Sequence, residues 1–398
     1  MPYNYRTEVL LVKLNFLLGI ITLFIVLLCC SGCYSRIELE DSIAAVAHGL
    51  DISPDGTQVI SSGQFALPPQ ADEEEAPKFL IRSASGPTFS AAEQVIRASL
   101  PRHPVWSKAE TYIIGENIAR RNIGLFLDRL GRTNAVRETS LLFLAYQSTP
   151  EEVMSTRVEP EDNAEAALSK LIRGQEPQTG IYRPVSINEF LYKVSAEGIE
   201  PVLPQVKIES LEGKNGLTID GLAVFRGRQM VGSLNEQESR GYHLANNATR
   251  GGLFNITLPD SSRPGGQSKH TLELTSSRAS VQPLYSQGQL TMKITIIAEG
   301  NLFELDTPQS LIDMAQLSLF EQQGSEALKS DIAACIDRAQ AYQSDILGWG
   351  QILQGRQPAL WESLKADWPA QFAGIAYEIE CEYKLRRTYI QGRGIMEE

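Results

Sequence analysis

Ile375-Ala376-Tyr377-Glu378-Ile379-Glu380-Cys381-Glu382-Tyr383-Lys384-Leu385-Arg386 places Ile375, Tyr377, Ile379, Cys381, Tyr383 and Leu385 at every second position, with Glu378, Glu380, Glu382, Lys384 and Arg386 between them. Side chains of an extended chain point to opposite faces in turn, so the stretch predicts a strand covered on one face and wet on the other. A strand of that kind belongs to a sheet with helices on one side, the α+β arrangement.

The residues before it supply its partners. Leu272 and Leu274 alternate in one strand, and Leu290, Met292, Ile294, Ile296 and Ala298 line one face of the next. From Ser310 a long helical region repeats Leu328, Ile332, Cys335, Ile336, Ala339 and Ile346 at helical spacing, ending at Asp345-Ile346-Leu347-Gly348. Two antiparallel strands, helices and a final strand make one layered domain, 265–398, entered through the Pro-Gly linker Pro259 to Ser268.

Two further domains are expected upstream, giving three mixed α/β domains with small, largely antiparallel sheets. The middle one, 181–264, follows a Gly-Pro-Gln-rich loop from Gly174 to Pro184. It begins with a capping box, Ser186 with Glu189, ahead of Ile187, Phe190, Leu191 and Val194. Leu217, Ile219, Ala223 and Phe225 lie in a strand, Gly227-Arg228 turns it, Met230 to Leu234 returns, and Asn235 caps a helix carrying Glu238 and Tyr242.

In the first domain, 33–180, Ile43 to Asp51 and Gln58 to Phe65 form a hairpin about Pro54-Asp55-Gly56. Asp72 to Glu75 lie in a solvated acidic loop. A helix from Ser90 shares Ala92, Val95, Ile96 and Ser99 on one face, Tyr112 to Gly115 is a strand, and Asn122 caps a helix with Ile123, Phe126, Leu127 and Leu130 inward. Leu141 to Ala145 is unbroken apolar sequence, the mark of a strand covered on both faces. Ser148-Thr149-Pro150-Glu151 opens another helix, and Asn163 to Ile172 has helical spacing.

The start is of a different kind. Arg6 and Lys13 precede an apolar run from Leu14 to Leu28, and then comes Cys30-Ser31-Gly32-Cys33. Charged, apolar and small residues in that order describe a secretory signal, residues 1–32. A cysteine directly after two small residues is where lipoprotein signal peptidases cut, so Cys33 is expected to carry a lipid. Cys29 and Cys30 follow Leu28 and Cys29 and suit that peptidase poorly. An uncleaved membrane helix over the same run leaves the same topology, with everything after Cys33 outside the membrane and tied to it.

Of 398 residues, 42% are apolar and 21% charged, as in ordinary folded domains. The net charge of −12 becomes −13 once the leader is removed, which excludes nucleic acid or anionic head groups as partners of the overall field. Cys335 and Cys381 remain in the mature body, each on an apolar face, and read as buried thiols, although an exported setting permits a disulfide. With four scattered histidines and neither Cys-x-x-Cys nor His-Glu-x-x-His in that body, no metal is expected. Nor is there a phosphate loop or nucleophile elbow. Gly348-Trp349-Gly350 follows a helix where a dinucleotide loop follows a strand, so it reads as a helix stop. Trp106, Trp349, Trp361 and Trp368 read as packing between layers. No enzyme is expected, and no cofactor.

These pieces together resemble the C subunit family of spore germinant receptors, the Ger(x)C lipoproteins. Gly32-Cys33-Tyr34-Ser35-Arg36-Ile37-Glu38-Leu39, with Gly49-Leu50-Asp51, looks like the family's Gly-Cys-Trp-Asp-Arg-x-Glu-Leu opening and its Gly-Ile-Asp. Ile113-Ile114-Gly115-Glu116-Asn117-Ile118-Ala119 with Arg132 and Arg137 is similar to a second signature. Gly221-Leu222-Ala223-Val224-Phe225 with Val231-Gly232, Leu234 and Glu238 is similar to a third, and Gln340, Asp345, Gly348, Trp361 and Trp368 to a fourth. The resemblance implies a lipid-anchored, non-enzymatic subunit on the outer face of the spore inner membrane. It would act with two integral membrane partners, the A and B subunits, so that small nutrients trigger germination. It also implies a role in assembly for Arg36, Glu38, Asp51, Gly115, Glu116, Arg137, Gly221, Phe225, Gly232, Asp345 and Gly348. The rival class is a lipid-anchored solute-binding protein, which would show two lobes of repeated βα units.

Overall fold

The computed structural model describes residues 5–30, 38–67, 78–132, 136–161, 163–211, 213–249, 251–259, 265–306 and 314–387. Cys33, Arg36 and the acidic run Asp72 to Glu75 lie outside them. The chain forms two units, Met1–Ile43 and Ala44–Glu398. The first holds helix α1 (Tyr5–Cys30), on which Leu10, Leu14, Phe16, Ile20, Phe24 and Val26 stand exposed, and a short turn of helix, Leu39–Asp41. Among the described residues no helix is long and apolar enough to cross a membrane.

The larger unit is built on a nine-stranded sheet. Its strands are β1 (Ser42–Ile52), β2 (Val59–Ala66), β3 (Phe79–Gly86), β4 (His103–Val105), β5 (Thr111–Ile114), β6 (Leu141–Ala145), β7 (Val202–Leu211), β8 (Lys214–Arg226) and β9 (Gln229–Leu234). They run in the order β3-β2-β1-β5-β6-β7-β8-β9, with β4 beside β1. The pairs β1–β5, β5–β6 and β6–β7 are parallel, and the flanking pairs are antiparallel. Parallel neighbours need crossovers, and these are helical: α2 (Phe89–Ala98), α3 (Glu116–Arg121), α4 (Gly124–Gly131), α5 (Pro150–Ser155), α6 (Ala164–Thr179) and α7 (Ile187–Ser195).

The central strip is apolar on both faces. Phe143 and Ala145 of β6 enter one core with Ile113 and Val206, while Leu142 and Leu144 enter a second with Tyr112, Ile114 and Leu203. That is the physical content of the unbroken run at 141–145. The boundary expected after residue 180 falls between β6 and β7, which are hydrogen-bonded neighbours, so 33–180 and 181–264 are joined by a continuous sheet.

The second sheet follows helix α8 (Glu236–Ala245). Its strands β10 (Leu253–Pro259), β11 (Gln267–Ser286), β12 (Gln289–Glu304) and β13 (Ala376–Arg387) lie in that order, with β12–β13 parallel and the others antiparallel. Along β13 exposed residues alternate with covered ones, Tyr383 being wholly buried and Glu378, Glu380 and Glu382 exposed, as the sequence predicts. Helix α9 (Met314–Ala341) covers the inner face with Leu328, Ile332, Cys335, Ile336 and Ala339, and α10 (Trp349–Arg356), α11 (Pro358–Leu364) and α12 (Trp368–Gly374) follow. Cys335 and Cys381 are separate thiols. Burial raises both, Cys381 to about 12.

Four local expectations are corrected. The loop expected from Gly174 is helix as far as Thr179, where Gly180 ends it at φ 64°. Val95 faces outward, because Phe89, Ala92 and Ile96 fill the buried stripe of α2. Asn122 is not the cap of α4, which is Ile123; it ends α3, a helix the spacing did not suggest, and its carboxamide oxygen accepts from Gly124 N at 2.7 Å from one position further back. Helix α9 stops at Ala341, and Gly348 starts α10 rather than stopping a helix. Leu217, Ile219, Ala223 and Phe225 do lie in one strand, β8, and a bulge at Gly221 (φ 80°) shifts its register. Leu217 and Ile219 therefore share the first core with Leu222 and Val224, and Ala223 and Phe225 enter the second.

Candidate functional site

Two helices begin in the same unusual way, on a glycine whose missing side chain is replaced by an aspartate from elsewhere. Gly115 precedes α3 and offers no side chain to its free N–H groups. Asp51, at the end of β1, reaches across: its carboxylate accepts from Ile118 N at 3.0 Å and from Asn117 Nδ2 at 3.4 Å. A Cβ on Gly115 would sit 2.0 Å from the Asp51 carboxyl carbon, so glycine is required for the approach. Burial raises the Asp51 carboxyl against the pull of these N–H donors. Glu116 then ties α3 to the turn after β6, accepting from Gln147 N at 3.1 Å while it pairs with Arg120. Arg137 pairs with Glu110 at 3.0 Å on a half-exposed surface.

The second such start is more deeply buried. Gly348 (φ 69°) leads into α10, and Asp345 accepts from Trp349 N at 3.0 Å, Gly350 N at 2.8 Å and Trp368 Nε1 at 3.0 Å. Asp345 is 2% exposed, and burial pushes its carboxyl up to about 6 in spite of these donors. The chain from Gly198 to Glu200 is bound to the same helix start: Gln351 N donates to Gly198 O at 3.1 Å, and Glu200 N donates to Asp345 O at 2.9 Å. A cavity of about 400 Å³ opens here, lined by Ile199, Glu200, Gln343, Asp345, Trp361 and Trp368, with Glu197 and Lys365 among its other lining residues. Trp361 and Trp368 meet edge to face with ring centres 5.0 Å apart. The buried Trp361 Nε1 has no hydrogen-bond partner.

Glu200 accepts from Gly227 N at 2.7 Å. Burial, with the neighbouring Asp345 charge, pushes it up to about 7 against the attraction of Arg226. The folded chain therefore holds this proton more tightly than the unfolded chain, whose Glu titrates near 4.5. The associated stability is full below that value and is lost as pH rises toward 7. Replacing Glu200 with Gln is expected to leave stability nearly unchanged at pH 5. At pH 8 the variant should gain on the order of 2 kcal/mol over the parent, at ~1.4 kcal/mol per pKa unit. Thermal melts at both pH values check this, and a pH-independent difference would show that Glu200 does not titrate in that window.

Gly221, Phe225 and Gly232 form a third group on β8 and β9. Gly221 N donates to the buried Tyr182 hydroxyl at 2.9 Å. Phe225 packs edge to face on Phe190 with centres 5.3 Å apart. Gly232 admits the Tyr342 ring, which a Cβ would meet at 2.1 Å, and the Tyr342 hydroxyl donates to Ser233 O at 3.2 Å. Asp345 and Gly348 thus stand together, Asp51, Gly115 and Glu116 stand together, and Arg137 stands apart. Glu38 is exposed and belongs to the N-terminal unit. Glu200 is the site residue that sequence reasoning missed. It lies in Glu197-Gly198-Ile199-Glu200, which carries no period, capping signal or motif.

Comparison with known proteins agrees with this frame. Residues 35–208 match the family described as spore germination protein N-terminal domain, and residues 220–389 match spore germination B3/GerAC like, C-terminal. Spore germination protein KC of Bacillus subtilis (strain 168) is 22% identical over 388 residues, covering 92% of this chain and 94% of its own length. The putative spore germination protein YfkR of the same organism is 24% identical over 331 residues, with 80% of this chain and 83% of the relative covered. Spore germination protein A3, also from B. subtilis, is 23% identical over 296 residues, with 72% and 74% covered. The crystal structure of the GerBC protein shares the fold, with a TM-score of 0.56 and 19% identity, covering 85% of this chain and 96% of that one.

Fold and sequence together define an α+β protein of the spore germination class. The chain belongs to the Ger(x)C-like family.

Proposed function

We propose that this chain is the lipid-anchored C subunit of a nutrient germinant receptor, held on the outer face of the spore inner membrane. It would work there as a non-enzymatic partner of the integral membrane A and B subunits. The observation that carries the reading is the pair of family matches in the family's own order, 35–208 and then 220–389, which together span nearly all of the chain after Cys33. Two further features support it. The motif aspartates and glycines go into fixing helix starts and strand contacts, which is the use expected of a rigid assembly part. Cys33 stands directly after Ser31-Gly32, at the end of a cationic and then apolar leader.

In this reading the anchor, and no field of the acidic body, holds the protein at the membrane. Spores that carry Cys33→Ala as their only copy are expected to show the protein in the soluble fraction and to lose the response to one nutrient, as a deletion does. Responses to other nutrients should be unchanged. A protein that stays membrane-bound with germination intact sinks the anchor. A deletion that leaves germination intact and alters uptake of a solute moves the assignment to a solute-binding protein.

A further inference from the structure

The cavity beside the start of α10 is walled with like charge and holds no counter-ion of its own. Glu197, Glu200 and Asp345 all line it, together with the apolar side chains of Ile199, Trp361 and Trp368. Asp345 is 2% exposed and its oxygens accept from three N–H donors, so it adds charge to the wall without being open to a ligand. Glu200 is different. Gly227 N takes only Oε2, at 2.7 Å, and among the described residues Oε1 has no hydrogen-bond or ion-pair partner. Unlike the sealed Trp361 Nε1, Glu200 Oε1 is open to solvent, so what enters the cavity can reach it.

The neighbouring cations are engaged elsewhere. Arg226 Nη1 donates to Gln343 Oε1 at 3.1 Å, and Lys365 Nζ lies 2.7 Å from Glu362. Arg226 attracts Glu200, and Lys365 attracts the exposed Glu197, each from beyond ion-pair distance. The fold therefore keeps at this wall a carboxylate that costs stability at neutral pH and above, a pattern found at functional sites. Among the described residues no three carboxylates, histidines or thiols are grouped to hold a metal ion. Hard cations prefer cages of several oxygens, whereas this wall offers one open oxygen, a second carboxylate and apolar surface. The space of about 400 Å³ takes up to about thirteen non-hydrogen atoms, at roughly 30 Å³ per water-sized unit.

We propose that this cavity binds a small organic amine, its ammonium set against Glu200 with Glu197 beside it, and its apolar body held along Ile199, Trp361 and Trp368. The ammonium brings the N–H donor that Glu200 Oε1 lacks and the positive charge that the wall lacks. An alcohol of the same shape brings a donor without the charge, and a carboxylate brings the wrong charge. Glu200, held up to about 7, is a carboxylate at pH 8 and largely protonated at pH 5, and Asp345, held up to about 6, follows it. Arg226 and Lys365, the cations facing them, keep their charge throughout. The site is built by residues 196–200, 343–345 and 361–369 and does not rest on the receptor reading.

The test is calorimetric titration of the full chain in detergent with phenethylamine, phenethyl alcohol and hydrocinnamate. At pH 8 phenethylamine is expected to bind saturably, and the alcohol and the carboxylate at least tenfold more weakly. At pH 5 the amine should weaken at least tenfold. Glu200→Gln is expected to weaken the amine at least tenfold at pH 8 and to flatten its pH dependence, under conditions where this variant is the more stable protein. Ala366→Trp, at an exposed position on the wall, leaves every carboxylate in place and should give the same loss by filling the space. Absence of saturable amine binding, equal binding of the alcohol, or undiminished binding at pH 5 or to either variant would overturn the proposal. So would displacement of the amine by an equal concentration of potassium chloride, since the wall would then take an inorganic cation.

Discussion

Replacing Asp345 with alanine is expected to destabilise the chain by on the order of 4 kcal/mol, which is a large part of the 5–15 kcal/mol typical of a folded domain. Alanine removes the acceptor of Trp349 N, Gly350 N and Trp368 Nε1 at once, and leaves three donors in a place that is 2% exposed. Each buried donor left without a partner costs ~1–3 kcal/mol. The neighbouring cavity lets water recover part of this, which is why the sum stays below the upper bound. The pH dependence has a definite sign. Asp345 is pushed up to about 6 from 3.8, so wild-type stability from this group is full below the lower value and is lost as pH rises to the higher one. The deficit of Asp345→Ala is therefore largest near pH 4 and shrinks toward pH 7. Melts at both pH values, read through the fluorescence of Trp349, Trp361 and Trp368, check the size and the trend. A loss below ~1 kcal/mol would mean that Asp345 does not hold this helix start.

That helix start also marks how far the sequence could be read. Local periodicity was legible: the alternation of β13, the two-sided burial of 141–145 and the cap of α8 at Asn235 stand as the spacing suggests, while the box expected at Ser148 to Glu151 falls one residue later, on Thr149 with Glu152, and Ser186 caps α7 without a return bond from Glu189, whose carboxylate is held by Arg183 and Lys193. The patterns that signal these features lie within a few residues. Helix α3 was not legible, because its cap is Asp51, which lies more than sixty positions upstream and is supplied by another strand. Nor was β7, whose Pro204 falls at a register shift where a missing N–H does no harm. Asp345 and Gly348 were reached through the resemblance, but Glu200, which shares their cavity, is brought there by the fold and by no pattern of its own.

Gly221→Ala is expected to cost about 3 kcal/mol or more, from two sources that can be separated. The first is conformational: Gly221 lies at φ 80°, where an L side chain costs roughly 1–2 kcal/mol. The second is contact: a Cβ would lie 2.2 Å from Leu234 O, a backbone atom held by the pairing of Leu222 with Leu234. Backbone cannot turn aside as the end of a side chain can, so β8 and β9 must part locally. The chain has no relief in straightening the bulge, because a regular strand would carry Leu222 and Val224 to the face now held by Ala223 and Phe225. Phe225 is fixed there, against Phe190 and by Ser344 Oγ, which donates to Phe225 O. Asparagine tolerates positive φ better than alanine does but has the same Cβ. If Gly221→Asn loses as much stability as Gly221→Ala in urea melts, the contact with Leu234 decides the cost. If Asn recovers most of it, the dihedral decides. A loss under ~1 kcal/mol for both would show that the strand can change faces freely at this point, contrary to the division of β8 between two cores.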